Sequence, residues 1–225
     1  MDRTSGGSIA AVRITLELTK PALQAASARL WQLPGLAQRY PAYLCAMHGV
    51  IRASVPLMEL AARRCAERAA DDPVAGPLRK YLLRHIEQER GHDDWLLADL
   101  AALDRDLPRR VAAQPSPTIA RLAGAQYYWI EHYHPVALMG YIAVLEGNAP
   151  TPGLGDWIVR TAGVPEGAVR TAREHAELDT RHAEAAFHLL EALPLTPAQT
   201  NAVTISGLHT AETLIRLFAD VVRAS

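Results

Sequence analysis

The chain has 225 residues, enough for one substantial core, and no shift in composition marks a second domain. Its 23 lysines and arginines against 24 aspartates and glutamates leave a net charge of -1. The only basic doublets are Arg63-Arg64, Arg79-Lys80 and Arg109-Arg110, so no basic stripe can track phosphates and nucleic acid is not an expected partner.

No apolar run approaches the ~20 residues of a bilayer span, and the first residues lack a charged-then-apolar leader pattern, so a cytoplasmic protein without membrane contact is expected. Residues 1–18 are weakly patterned and contain Ser5-Gly-Gly-Ser8, which predicts a flexible lead to a single helical domain over 19–225. Helical periodicity then predicts seven helices, at Pro21–Leu33, Tyr40–Ala70, Pro77–Asp104, Thr118–Glu146, Leu154–Ala162, Glu166–Leu193 and Pro197–Arg223. Alternation at period two is absent over any useful length, so the fold class is all-α. Pro34, Pro73, Pro150, Pro165 and Pro194 fall at helix boundaries. Pro56 and Pro135 fall inside long helical patterns, where they are expected to kink the helix without ending it, and Leu107–Pro117 reads as the longest loop.

Several of these helices carry polar residues where core residues belong. Glu59 interrupts the apolar run Val55-Pro-Leu-Met-Glu59-Leu-Ala-Ala, although Arg63 at i+4 offers it a solvated partner. Glu89 and His92 form a Glu-x-x-His pair flanked at helical spacing by Leu82, Leu83, Leu96 and Leu97, while Glu87 and Asp94 fall on the other side. Alone, that pair is a weak signal. His85, four residues before Glu89, faces either a metal or a hydrogen-bonded neighbour of one. Glu146 closes the apolar run that begins at Ala137, which could also be a plain helix end before Gly147. Tyr128, His132, Met139 and Ile142 approach the Glu146 face and are candidates for lining a pocket, with ordinary core packing as the alternative.

The strongest signal is His175-Ala-Glu-Leu-Asp179-Thr-Arg-His182. At 100° per residue Asp179 lies about 40° and His182 about 20° from His175, so three ligand-type side chains share one stripe. Burying such a stripe is costly unless something binds it. Together the set holds four carboxylates (Glu59, Glu89, Glu146, Asp179) and three imidazoles (His92, His175, His182) from four helical segments. Four negative charges balance two divalent cations, and mixed carboxylate and imidazole donors suit iron or manganese better than zinc or calcium. His48, His134, His188 and His209 have no partner at ligand spacing. Cys45 and Cys65 lie in helical, apolar-leaning sequence with no third thiol nearby and read as buried free thiols.

At these residues the sequence resembles the heme-oxygenase-like diiron oxidases and oxygenases, also grouped as iron-containing redox enzymes. Three pieces carry the likeness: the helix around Val55-Pro-Leu-Met-Glu59, the segment from His85 through Glu89 and His92 to Leu100, and the His-x-x-x-Asp-x-x-His run at 175–182. The resemblance spans about Tyr40 to Leu193 and implies a seven-helix heme-oxygenase-like bundle. It also implies Glu59, Glu89, His92, Glu146, His175, Asp179 and His182 as ligands of two ferrous ions per chain. The implied activity uses O2 as co-substrate to oxidise a small organic molecule, of amino-acid or fatty-acid type, in specialised biosynthesis. An external electron donor and a monomeric or homodimeric state are compatible with it. Ferritin-like iron binding without an organic substrate, and a heme- or thiamine-related enzyme of the same fold, are the rival readings. The thiaminase-like relatives use a cysteine nucleophile, for which neither Cys45 nor Cys65 has recognisable context.

Overall fold

The computed structural model describes residues 4–111 and 116–224, with the side chains of residues 4–8, 110 and 179–181 left out. The helices are α1 (Thr4–Glu17), α2 (Lys20–Gln32), α3 (Leu36–Arg68), α4 (Ala75–Glu89), α5 (His92–Leu103), α6 (Leu107–Val111), α7 (Pro117–His132), α8 (Leu138–Glu146), α9 (Leu154–Ala162), α10 (Arg170–Ala192) and α11 (Pro197–Arg223). Single 3-10 turns occupy Pro135–Ala137 and Glu166–Ala168, and no strand occurs among the described residues. The fold is all-α, as the periodicity requires.

The seven expected helical segments are all present, but three of them are interrupted, Glu166–Leu193 by the step at Val169 between the 3-10 turn Glu166–Ala168 and α10. Pro77–Asp104 divides into α4 and α5 because Gly91 adopts φ 85°, a left-handed conformation that ends one helix and starts the next. Thr118–Glu146 divides into α7 and α8 at Tyr133 and His134, and the His134 ring accepts from the Val136 amide to cap the new turn. Pro135 therefore opens an element here, where a kink within one helix was expected. Pro41 and Pro56 lie within α3 without ending it.

The stretch expected to be a flexible lead is helical over Thr4–Glu17. Its Ile9, Val12 and Leu16, at i, i+3 and i+7, form a stripe buried against the bundle, which is the apolar pattern the sequence reading passed over. Leu107–Val111, read as loop, forms the short α6, and residues 112–115 of that segment lie outside the described residues.

Helix α3 runs through the middle of the bundle, packed by α4, α5 and α7. Among the described residues it is also the one helix long and apolar enough to cross a membrane. Helix α11 covers α8, α2 and α7, and α10 lies along α8 and α5. A larger apolar core surrounds Leu57, Leu78, Leu82, Ile130 and Leu190, and a smaller one surrounds Tyr40, Leu44, Leu96 and Leu100. Fully burying each of these leucines contributes about 1.5–3 kcal/mol, so the helices that carry the polar positions form a stable frame.

Candidate metal centre

Four helix segments bring their polar residues together. The last turn of α4 supplies His85 and Glu89, the first residue of α5 is His92, the last residue of α8 is Glu146, and α10 supplies His175 and His182. His85, His92, Glu146, His175 and His182 are all buried, and the Glu89 carboxylate is nearly so.

Donor atoms of His85, Glu89, Glu146 and His182 lie within 4.8 Å of one another. His85 Nε2 is 2.6 Å from Glu146 Oε1, and its ring meets that of His182 edge-on with centroids 4.8 Å apart. The two oxygens of Glu89 face different imidazoles: Oε1 is 3.3 Å from His182 Nδ1, and Oε2 is 3.1 Å from His92 Nδ1. On the far side of Glu89, His92 faces His175 with ring centroids 5.1 Å apart and stacks on Trp95 at 4.0 Å. Glu89 thus stands between a half formed by His85, Glu146 and His182 and a half formed by His92 and His175.

The electrostatics express the same crowding. Burial pulls the Glu89 carboxyl upward, but the imidazoles of His182 and His92 outweigh it and hold the group well below the usual carboxylate range. For Glu146 burial wins and raises the pKa, although His85 and His182 pull the other way. His85 is opposed by burial, yet contact with Glu146 leaves it above its ordinary value. Nδ1 of His92, Nδ1 of His182 and Oε2 of Glu146 are buried without a hydrogen bond among the described residues. Buried polar atoms left that way cost stability, and lone pairs that converge without pairing are the arrangement a cation satisfies. The donor set, carboxylate oxygen with imidazole nitrogen, fits iron.

Of the two remaining expected ligands, one has no described contact with this cluster and the side chain of the other is not described. Glu59 is half-buried on α3, next to Met58, and is not one of the four residues whose donors close to 4.8 Å. The side chain of Asp179 lies outside the described residues, on α10 between His175 and His182. His85, which the sequence left open between two roles, is in the cluster; its position four residues before Glu89 was the available signal.

A cavity of about 480 Å3 opens onto the centre, with His85, Glu89, Glu146 and His175 in its wall. The rest of the wall is largely apolar, including Trp31, Tyr43, Met58, Leu96, Ile142 and Leu214. Of the four residues expected to line a pocket, Ile142 does so. Met139 is fully buried in the core, while Tyr128 and His132 are exposed on α7, their rings 4.9 Å apart. The break between α7 and α8 resets the helical phase, so extrapolation from Tyr128 to Glu146 fails.

Residues 42–213 match the family described as iron-containing redox enzymes. The chain belongs to the iron-containing redox enzyme family. Two solved structures share the fold of this family member across nearly its whole length. A domain of unknown function with a heme oxygenase-like fold from Shewanella denitrificans is 18% identical with TM-score 0.75, covering 94% of this chain and 90% of its own. A TenA homolog from Pseudomonas syringae pv. tomato is 13% identical with TM-score 0.64, covering 93% of this chain and 92% of its own. At such identities the likeness establishes the heme oxygenase-like fold alone. No curated protein matches the sequence.

Proposed function

We propose that this iron-containing redox enzyme is a non-heme diiron oxidase or oxygenase that uses O2 to oxidise a small organic molecule. The observation that carries this reading is the apolar cavity whose wall includes Glu89, a carboxylate shared between two imidazole-bearing halves. His85, Glu89, Glu146 and His182 would hold one ion. Glu89, His92 and His175 would hold the other, and Glu59 and Asp179 are the further ligands the sequence proposes. When bound, two ferrous ions supply electrons to O2 and the oxidising power that results.

The chain's own residues supply the setting. The apolar wall excludes water and takes up the organic body of the substrate. Before an ion arrives, the contact of His85 Nε2 with Glu146 Oε1 keeps both donors turned into the centre. Tyr141 lines the cavity with its hydroxyl 3.3 Å from that of Ser54 and donating to the Val50 carbonyl at 3.5 Å, and burial pushes its phenol up to about 12, so at neutral pH it stays a protonated polar group in the wall. An amino acid or an apolar carboxylic acid is the proposed substrate type, with an external reductant returning electrons between turnovers.

Two rivals fare worse. An iron-storage protein has no use for an apolar chamber of this size beside the metals. A thiaminase-like reaction needs a reactive thiol, whereas burial pushes the Cys65 thiol up to about 12 and raises that of Cys45. Anaerobic titration with ferrous iron is expected to show about two ions per chain, followed by O2 consumption that accelerates when the right substrate is present. A stoichiometry of one, or tight zinc binding with no reactivity toward O2, would overturn the proposal.

A further inference from the structure

Helix α10 begins without a cap of its own. Val169 occupies the N-cap position and has no side-chain oxygen to offer the first amides. The missing acceptor comes from another helix: Asp99 of α5, fully buried, accepts from the Thr171 amide at 3.0 Å. Burying a carboxylate there is costly, and burial does raise the Asp99 pKa, against the pull of Thr171 and Arg170. Two further contacts hold the same end. The Arg170 guanidinium lies 4.8 Å from the centre of the Trp95 ring, and the Tyr40 hydroxyl donates to the Ala168 carbonyl at 2.7 Å.

The spacing of these contacts connects them to the metal centre. Asp99 lies two turns after His92 on α5, and Thr171 lies one turn before His175 on α10. Asp99 meets Thr171 and His92 meets His175, so the two helices run antiparallel along this contact. Each pair occupies one stripe of its helix, since seven residues return to within about 20° and four to within about 40°. We propose that Asp99 is a positioning residue: by capping α10 from α5 it fixes the register between these helices and holds His92 opposite His175. Trp95 completes the clasp, stacked on His92 and bearing Arg170. The other half of the centre takes His85, Glu89 and Glu146 from α4 and α8 and only His182, about three turns beyond Thr171, from α10, so it depends on Asp99 less.

This proposal rests on the two-ion reading above, and two measurements keep the failures apart. In the first, ferrous iron is titrated anaerobically into the wild type, Asp99→Ala, Asp99→Asn and Arg170→Ala. The wild type is expected to take two ions. Asp99→Ala, with its helical circular dichroism retained, is expected to keep one ion while the second weakens about tenfold or more. Asp99→Asn keeps the acceptor oxygen and is expected to restore the second ion. Arg170 is exposed, so its loss does not threaten folding, and a several-fold weakening of the second ion alone is expected. Two tight ions in Asp99→Ala, or equal loss of both, overturns the proposal. If Asp99→Ala does not fold, an unchanged second ion in Arg170→Ala overturns it.

The second measurement uses metal-free protein. Amide exchange of Thr171 to His175 is expected to speed up about tenfold in Asp99→Ala and to stay slow in Asp99→Asn. Unchanged protection in Asp99→Ala would refute the clasp whatever the metal stoichiometry. A wild type that takes fewer than two ions would refute the two-ion reading instead.

Discussion

Glu89 is placed so that each of its oxygens faces a different imidazole. Glu89→Ala is expected to abolish iron-dependent O2 consumption, because both halves of the centre lose a donor. Glu87→Ala, two residues away on the exposed face, is expected to leave that activity within about twofold, since exposed substitutions away from such features change little. Equal losses in the two variants, read by oxygen electrode, would mean that the centre lies elsewhere. His48 illustrates a different residue-scale effect. Burial depresses its pKa, with Asp93 and Asp94 pulling up and Arg52 pulling down. The unfolded chain therefore binds a proton more readily than the fold does. The stability that His48 contributes is present above the ordinary imidazole value of about 6.5 and is lost as pH falls through the lower folded value. Urea unfolding of metal-free protein is expected to show this acid-side decline, and His48→Gln to flatten it; an identical slope in the variant would exclude His48 as its source.

Between elements, α8 crosses α11 closely at Gly140, and this crossing helps set where Glu146 ends up. A Cβ on Gly140 would fall 2.1 Å from the Val203 carbonyl oxygen and 2.7 Å from the Gly207 amide, both backbone atoms that cannot step aside. A Cβ on Gly207 would meet a Leu16 methyl at 2.5 Å, the tip of a flexible side chain. Gly140→Ala is expected to cost at least about 1–3 kcal/mol and Gly207→Ala less, measured by denaturant unfolding. The reverse order would show that α8 slides on α11 more easily than Leu16 turns. The long helices α3 and α11 were legible from periodicity because their apolar stripes run for many turns, whereas the α1 stretch reads as a flexible lead and α6 as loop. The breaks were not legible either. Leu82 and Leu96 stay in helical phase across Gly91, so nothing in the apolar pattern marks its left-handed turn. The glycine itself was the only cue. In the same way Pro135 looked like a kink because the apolar run resumes at once after it.

Across the whole molecule, the parts of the centre that could be read in the sequence are those that break a local rule. His175 and His182 occupy core positions on one helix, and Glu89 and His92 interrupt a leucine stripe, so each announces itself within a few residues. The cavity has no such local mark. Its wall draws on α2, α3, α8, α10 and α11, and Trp31 or Leu214 looks like any core residue until those helices are packed. The separation of the donors has a kinetic consequence. The partners of Glu89 are unequally distant along the chain: His85 and His92 are its neighbours, whereas His182 arrives only with α10. Closing that distance carries a loop-entropy cost that neighbouring helices do not face. During synthesis from the N-terminus, α3, α4 and α5 can pack as soon as they emerge, with Glu89 still in water beside two half-made contacts. The polar centre then keeps its solvent until α10 brings the final imidazoles, and α11, made after it, closes the apolar wall with Leu214 and Phe218.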